Sequence, residues 1–194
     1  MSIEFTNQNG ITYYLCRGTT KTGKPRYYFA REPKGEPVAQ VPAGYRITES
    51  VNGLVSLSKD VPSLVLPAEL AVVQSVVRKH PQARLYRVAA KRDRIEVYQR
   101  DGPMAGDILA AFRSAGLVNS GMREQLEARL EQGAHYSPVL RFTLVDEKMR
   151  AYRLERMGYT GKGGWRYLHT SDRIAELAAM TIPRLGTDAF FDSY

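Results

Sequence analysis

The sequence predicts an α+β fold, with antiparallel sheets built from four β-hairpins and about four helices packed on them. Two observations predict it. Aromatic and β-branched runs occur in pairs joined by short turn-rich segments, giving eight or nine strands. Other stretches repeat apolar residues at helical spacing. Because strands and helices do not alternate one by one, we expect no doubly wound parallel sheet.

Length and composition bound the organisation of the chain. Its 194 residues, 43% of them hydrophobic, suit one compact domain, 1–194, and the alternative is two subdomains at 1–80 and 85–194. The single cysteine, Cys16, excludes an internal disulfide and is compatible with a reducing compartment. The N-terminus lacks a signal-peptide pattern and no apolar run reaches 18 residues. We therefore expect a cytoplasmic protein that does not enter a membrane.

The first hairpin is predicted from Ile11–Arg17 and Arg26–Arg31, which are rich in tyrosine and flank a Gly and Pro loop. Lys21, Lys24 and Arg26 would extend from its tip. Basic side chains beside tyrosines can contact phosphates and stack on bases. Cross-strand aromatic pairing is the commoner reason for tyrosines in a sheet, and it is the reading that we favour for the tyrosines.

A loop and a second hairpin follow. Residues 32–44 contain three prolines and two glycines, so they predict a loop with at most a short strand at Val38–Val41. Tyr45–Ser50 and Val55–Lys59 flank an Asn-Gly pair at 52–53, a strong hairpin signal. Leu70, Val73 and Val77 then recur at helical spacing, which predicts a helix from Ala68 to about Lys79, with Pro67 in its first turn and Leu66 in register before it.

The basic cluster of the sequence lies at 78–100. This segment contains eight basic and two acidic residues, and it holds most of the net charge of +8. Arg78, Lys79 and His80 are explained by a helix C-terminus, where cations are favourable. The remaining cations fall on a third hairpin, Leu85 to Arg100.

The register of this third hairpin follows from a two-residue turn at Arg92 and Asp93. The predicted pairs are Lys91 with Arg94, Ala90 with Ile95, Ala89 with Glu96, Val88 with Val97, Arg87 with Tyr98, Tyr86 with Gln99 and Leu85 with Arg100. One face is then apolar, and the other is predicted to expose Arg87, Lys91, Arg94, Tyr98 and Arg100, opposed only by Glu96. The Lys91 and Arg94 pair costs stability, which a polyanion or simple solvation at the tip would relieve.

Two helices and a fourth hairpin are predicted next. The helices are Met104 to Ala115, stopped by Gly116, and a second one capped by Asn119 or Ser120 that ends at Gly133. They do not form a DNA-reading helix-turn-helix, because the second helix lacks basic and amide side chains for base edges.

For the fourth hairpin, Val139–Asp146 and Met149–Met157, an odd-length loop or bulge that opposes Phe142 to Tyr152 and Leu140 to Leu154 leaves one coherent apolar face.

The C-terminal part begins with a glycine-rich loop around Lys162. It lacks the Lys-Ser/Thr ending of a phosphate cradle and precedes a strand, Trp165–His169. Ser171 is predicted to cap a final helix with Ile174, Leu177 and Ala178 inward, which Pro183 ends. In the tail, Phe190, Phe191 and Tyr194 are expected to dock on the protein's own core.

No catalytic, metal or cofactor motif is found. Cys16 has no histidine near it, and His80, His135 and His169 have no ligand spacing. The leading hypothesis is therefore a non-enzymatic nucleic-acid-binding or accessory protein that uses the basic hairpin face, with Lys21, Lys24 and Arg26 as a second contact. The alternatives are a regulatory module with an acidic protein partner, and an enzyme, which a deep pocket holding His135 or His169 beside a carboxylate would favour.

Overall fold

The computed structural model describes residues 2–114, 120–158 and 164–192, and it has the predicted α+β architecture with antiparallel sheets. The described residues form eleven strands and five α-helices, slightly more than expected. Contacts divide the chain into two compact units, Met1–Val61 and Pro62–Tyr194. No helix within the described ranges is long and apolar enough to cross a membrane.

The first unit consists of six strands. They are β1 (Glu4–Thr6), β2 (Thr12–Thr19), β3 (Pro25–Ala30), β4 (Glu36–Pro37), β5 (Tyr45–Glu49) and β6 (Val55–Lys59). β2 pairs with β3 along one edge and with β1 and β4 along the other, while β5 and β6 form a separate hairpin. Both predicted hairpins are confirmed. The short strand was predicted at Val38–Val41 and forms at β4 instead, where its pairing with Cys16 and Arg17 fixes its position.

The core of the first unit is small, with Leu15 and Cys16 fully buried and Val55 nearly so. The buried Asn7 side chain ties the β1–β2 loop to the second hairpin by donating from Nδ2 to the Gly53 carbonyl at 2.7 Å. Gly53 has φ +74° and its Cα faces the Asn7 and Asn9 amides so closely that an added Cβ would lie 2.8 to 2.9 Å from them. The turn therefore needs glycine both for its backbone and for space.

The second unit is a five-stranded antiparallel sheet with helices. Its elements are α1 (Pro67–Arg78), β7 (Tyr86–Ala90), β8 (Arg94–Arg100), α2 (Ala105–Ser114), α3 (Ser120–Gln132), β9 (Tyr136–Asp146), β10 (Ala151–Gly158), β11 (Gly164–Ser171), α4 (Ile174–Thr181) and α5 (Ala189–Asp192), with 3₁₀ turns at Ala83–Leu85 and Ile182–Arg184. The strand order is β11-β10-β9-β8-β7. The sheet is thus built only from neighbours in sequence.

One face of this sheet forms the main core. Ile95, Val97, Leu140, Phe142 and Leu154 are fully buried there. They pack with residues of α1 and α4, which also contact each other. The predicted inward residues of α1 and α4 are confirmed, although Leu66, which precedes α1, remains 49% exposed.

The β7–β8 register is confirmed for the five pairs from Tyr86 with Gln99 to Ala90 with Ile95. The Lys91 N–H donates to the Arg94 carbonyl at 2.8 Å and closes the two-residue turn. Leu85 lies in a 3₁₀ turn before β7, so its predicted pairing with Arg100 does not form.

The β9–β10 register was predicted wrongly by two residues. Phe142 lies opposite Leu154, and Leu140 lies opposite Arg156. The connection contains four residues, with Arg150 at φ +52°, and a bulge follows between Ala151 and Tyr152. A shift of two keeps every side chain on its face, so the predicted apolar face is right although the pairs are not.

Local contacts fix the helix ends and the tail. Ser171 was predicted as the N-cap of α4, but Arg173 occupies that position and Ser171 Oγ accepts from its N–H at 3.1 Å. Phe190 is 5% exposed in the core, as expected, whereas Phe191 is 47% exposed. The predictions for Gly116, Asn119, Lys162 and Tyr194 fall outside the described residues.

Candidate functional site

The face of the five-stranded sheet opposite the core is polar. Directly opposed residues in a sheet share a face, so the pairings, with the contact of Lys91 to Glu96, place a set of polar and aromatic side chains there. This polar face consists of Arg87, Lys91, Arg94, Glu96, Tyr98, Arg141, Thr143, Arg153, Glu155, Trp165 and Tyr167. It carries five cations and two carboxylates, so its net charge is positive.

Glu96 organises the hairpin end of the polar face. Its carboxylate lies 2.7 Å from Lys91 Nζ and 2.9 Å from Arg94 Nε, and it accepts the Tyr98 hydroxyl. Glu96 itself is 4% exposed. The like charges of Lys91 and Arg94 are therefore compensated from inside the protein, and the cost that was expected of this pair needs no polyanion to relieve it.

The pKa of Glu96 reflects these contacts. Burial would raise it, but the hydrogen bonds from Lys91 and Tyr98 and the charges of Lys91 and Arg94 outweigh burial and hold it below its ordinary value. Burial and the bond to Glu96 raise the pKa of Tyr98. At neutral pH the carboxylate is therefore ionised and the phenol protonated.

A second cluster lies toward β11. Glu155 receives two hydrogen bonds from Arg141, at 2.7 Å and 3.0 Å, and a weaker one from Thr143. The guanidinium carbon of Arg141 lies 4.3 Å from the centroid of the Trp165 ring. The hydrogen bond from Arg141 lowers the pKa of Glu155 below its ordinary value, because its effect is larger than that of burial, which would raise this pKa. Arg141 is thus fixed between a carboxylate and an indole.

Two cations of the polar face are not paired with a carboxylate. Arg87 is exposed and donates to the carbonyls of Arg84 and Tyr86, with its guanidinium 5.0 Å from the Tyr136 ring. Arg153 is exposed, and its charge helps to lower the pKa of Glu155, although no hydrogen bond joins it to a described residue. Their charges are therefore available to solvent or to a ligand.

The predicted site residues fall into three groups. Arg87, Lys91, Arg94 and Tyr98 come together on the polar face, as the hairpin register requires. Arg100 follows on the same strand, but the expectation that it is exposed is wrong. Its side chain is 4% exposed and pairs with Glu131 of α3 at 2.6 Å. Strand alternation and helical spacing do not predict this contact, because it joins residues 31 positions apart.

The third group, Lys21, Lys24 and Arg26, belongs to the first unit. All three side chains are exposed. The loop between β2 and β3 is closed by a hydrogen bond from the Thr20 N–H to the Lys24 carbonyl at 2.8 Å, and Arg26 lies opposite Gly18 in β3. The predicted hairpin tip therefore carries its cations into solvent.

Sequence reasoning did not identify Arg141, Arg153, Glu155, Trp165 and Tyr167 as parts of this surface. Each lies at an alternate position of β9, β10 or β11, facing away from the apolar residues. The period-two pattern could have placed each on a polar strand face. These residues lie on the same sheet face as the basic hairpin only because β8 pairs with β9.

His80, His135 and Cys16 lie in different surroundings. His80 is 8% exposed; its Nδ1 accepts from the Gln82 N–H, and its Nε2 lies 3.2 Å from the Leu185 carbonyl oxygen. His135 Nδ1 lies 2.6 Å from Asp101, but its side chain is 65% exposed. Cys16 is fully buried, as predicted.

A cavity lies near the end of β8, beside the Asp101 carboxylate that holds His135. Its volume is about 370 Å³, and Arg100, Asp101, Asp188 and Phe191 contribute to its lining. No histidine among the described residues lines it. The described residues also contain no group of three His, Cys, Asp or Glu side chains arranged to hold a metal ion.

Comparison with known proteins gives no relative for this chain, since no family model, curated protein or solved structure matches it.

Proposed function

We propose that this chain is a nucleic-acid-binding or accessory protein, and that the polar face of the five-stranded sheet contacts the phosphate backbone. The observation that carries the proposal is the excess of five cations over two carboxylates on one sheet face whose opposite side packs the core. Phosphates are attracted by clustered Lys and Arg without any sequence requirement.

The ion pairs on this face leave donors for phosphate. Lys91 has three N–H groups and each arginine has five, so bonds to Glu96 and Glu155 do not exhaust them. Arg87 and Arg153 are the strongest candidates, because both are exposed and no hydrogen bond joins either of them to a carboxylate of the described residues. Phosphate binding there would not require breaking an internal ion pair.

Lys21, Lys24 and Arg26 are proposed as a further phosphate contact on the first unit, because they are exposed around one loop. We place the protein in the cytoplasm as part of the same proposal. The buried thiol Cys16, the single cysteine of the chain, suits a reducing compartment where nucleic acid is accessible.

The test is the salt dependence of binding to a labelled oligonucleotide. Arg87→Gln/Arg153→Gln removes two exposed cations without stranding a buried carboxylate. We expect weaker binding, and a slope of log K against log salt reduced by about one for each lost phosphate contact. The triple change at Arg87, Lys91 and Arg94 should lower the slope further, but it also leaves Glu96 without its cations, so a folding check must accompany it.

The matched control is Arg78→Gln/Lys79→Gln, which removes the same charge from the exposed end of α1. This variant should keep the parent slope. If the Arg87 and Arg153 variant has the same slope and affinity as the control, the polar face is not the contact surface. If the parent binds no polynucleotide at low salt, the proposal fails, and the acidic protein partner becomes the reading to pursue for this face.

A further inference from the structure

We propose that the polynucleotide is single-stranded and that its unpaired bases stack on Tyr167 and Trp165, while its phosphates lie on the cations of the polar face. This inference rests on the proposed function and adds the class of nucleic acid. It is carried by the two aromatic side chains of β11, which the basic hairpin alone would not require.

Tyr167 has an aromatic side chain that does not pack against the described residues as a core or cross-strand partner would. Its side chain is 60% exposed, and it makes no hydrogen bond or ring contact with any of them. The usual reason for a tyrosine in a sheet is an aromatic or β-branched cross-strand partner, but Tyr167 lies opposite Glu155. An exposed ring on a basic face is what base stacking uses.

Trp165 is the second ring proposed to stack on a base, and its position is fixed by Arg141. It lies two residues before Tyr167 on the same strand, and Arg141 is fixed against its ring at 4.3 Å by Glu155. Residues two apart in a strand are about 6.6 Å apart and share a face. Bases in a duplex strand are about 3.4 Å apart. Two neighbouring bases can therefore occupy both rings only if they are unstacked from each other, as in a single strand.

The width of the sheet also favours a single strand. Four spacings between five strands, at about 4.8 Å each, make the face about 19 Å across, whereas the major groove of DNA is about 12 Å wide. The sheet face is therefore too wide to enter the major groove of an undistorted duplex. A flat single strand can lie across it, as on other sheet surfaces that stack two or three bases.

The charge pattern indicates where the phosphates and the bases of the single strand would lie on the polar face. The row across the centre of the face alternates Glu96, Arg141 and Glu155, so it carries a net charge of −1. Arg87, Lys91 and Arg94 gather at the hairpin end, and Arg153 lies next to the central row. Phosphates are favoured at these cations and disfavoured over the carboxylates, which leaves the centre and β11 for bases.

The experiment uses the full chain and its single tryptophan, which is Trp165 itself. The probes are a 12-nucleotide thymidine strand, the matching uridine strand, a 12-base-pair duplex and an abasic phosphodiester of the same length. We expect either single strand to bind at least tenfold more tightly than the duplex at equal salt and to quench the indole fluorescence. The abasic chain should bind without quenching.

Tyr167→Ala supplies the second measurement, with Tyr167→Phe as its matched control. Loss of one stacking ring should weaken single-strand binding about fivefold to 150-fold, while the phenylalanine variant binds like the parent and neither change alters abasic binding. Because Tyr167 is exposed, both variants should retain the parent circular dichroism spectrum.

The outcomes separate this inference from the proposed function. Equal affinity for duplex and single strand, with no quenching and a neutral Tyr167→Ala, would overturn the stacking inference and leave phosphate binding in place. Absence of binding by every probe at low salt would overturn both.

Discussion

Replacing Glu96 by glutamine tests whether the polar face is organised by a buried carboxylate. The change removes a charge that is 4% exposed and receives hydrogen bonds from Lys91, Arg94 and Tyr98. Hydrogen bonds to a charged group contribute roughly 1.5 to 3 kcal/mol each. The side chains of Lys91 and Arg94 are 47% and 33% exposed, so they regain water when the carboxylate is lost. We therefore expect a net destabilisation of about 2 kcal/mol.

The assay is urea unfolding of the parent and Glu96→Gln at several pH values. The pKa of Glu96 is lowered in the folded state from an ordinary value of 4.5. The carboxylate therefore stabilises the fold fully above that value, and its contribution is lost as the pH falls through the lower folded pKa. The stability gap should be constant near neutrality and close in acid. Equal stability of the two proteins at pH 7 would refute the reasoning.

The same substitution also bears on binding. Glu96→Gln removes one negative charge from the polar face, and one charge about 7 Å from a phosphate in water contributes about 0.6 kcal/mol. The destabilised variant should therefore bind an oligonucleotide about threefold more tightly at low salt, measured by fluorescence anisotropy well below its unfolding transition. Weaker binding by a folded Glu96→Gln would instead mean that the carboxylate itself contacts the ligand.

Two further predictions concern the fold. Gly53→Ala should destabilise the first unit by more than 1 kcal/mol, because φ is +74° and the added Cβ would lie 2.8 to 2.9 Å from the Asn7 and Asn9 amides; unfolding of the parent and variant measures this, and an unchanged midpoint would contradict it. His80→Phe keeps a ring but leaves the Leu185 carbonyl and the Gln82 N–H without their partner, so it should cost about 1 to 3 kcal/mol in urea unfolding. If His80→Phe unfolds at the same urea concentration as the parent, water replaces the imidazole as the hydrogen-bond partner.

The sequence by itself determined the local elements. The β7–β8 register followed from side-chain alternation and a two-residue turn, because these operate between residues close in the chain. Helix α1 was predicted to within a residue at its ends, from the spacing of Leu70, Val73 and Val77 and from Pro67. The four hairpins were predicted for the same reason.

Where the prediction failed, backbone detail or a distant partner decided the outcome. The β9–β10 pairs shifted by two because the loop has four residues with Arg150 at positive φ, and a bulge follows. Alternation cannot detect this shift, since it leaves every face unchanged.

Only the tertiary structure decided the composition of the candidate site. Arg94 and Arg100 look alike in sequence. In the structure Arg100 is buried against Glu131, whereas Arg94 is half-buried beside Glu96. Trp165 and Tyr167 share a face with Arg87 because β9 and β10 connect β8 to β11. A strand pattern tells which side chains share a face of one strand, whereas the order of strands is set by burial of the whole core. The sequence therefore identified a basic hairpin face, and the fold extended it into a surface with two aromatic rings.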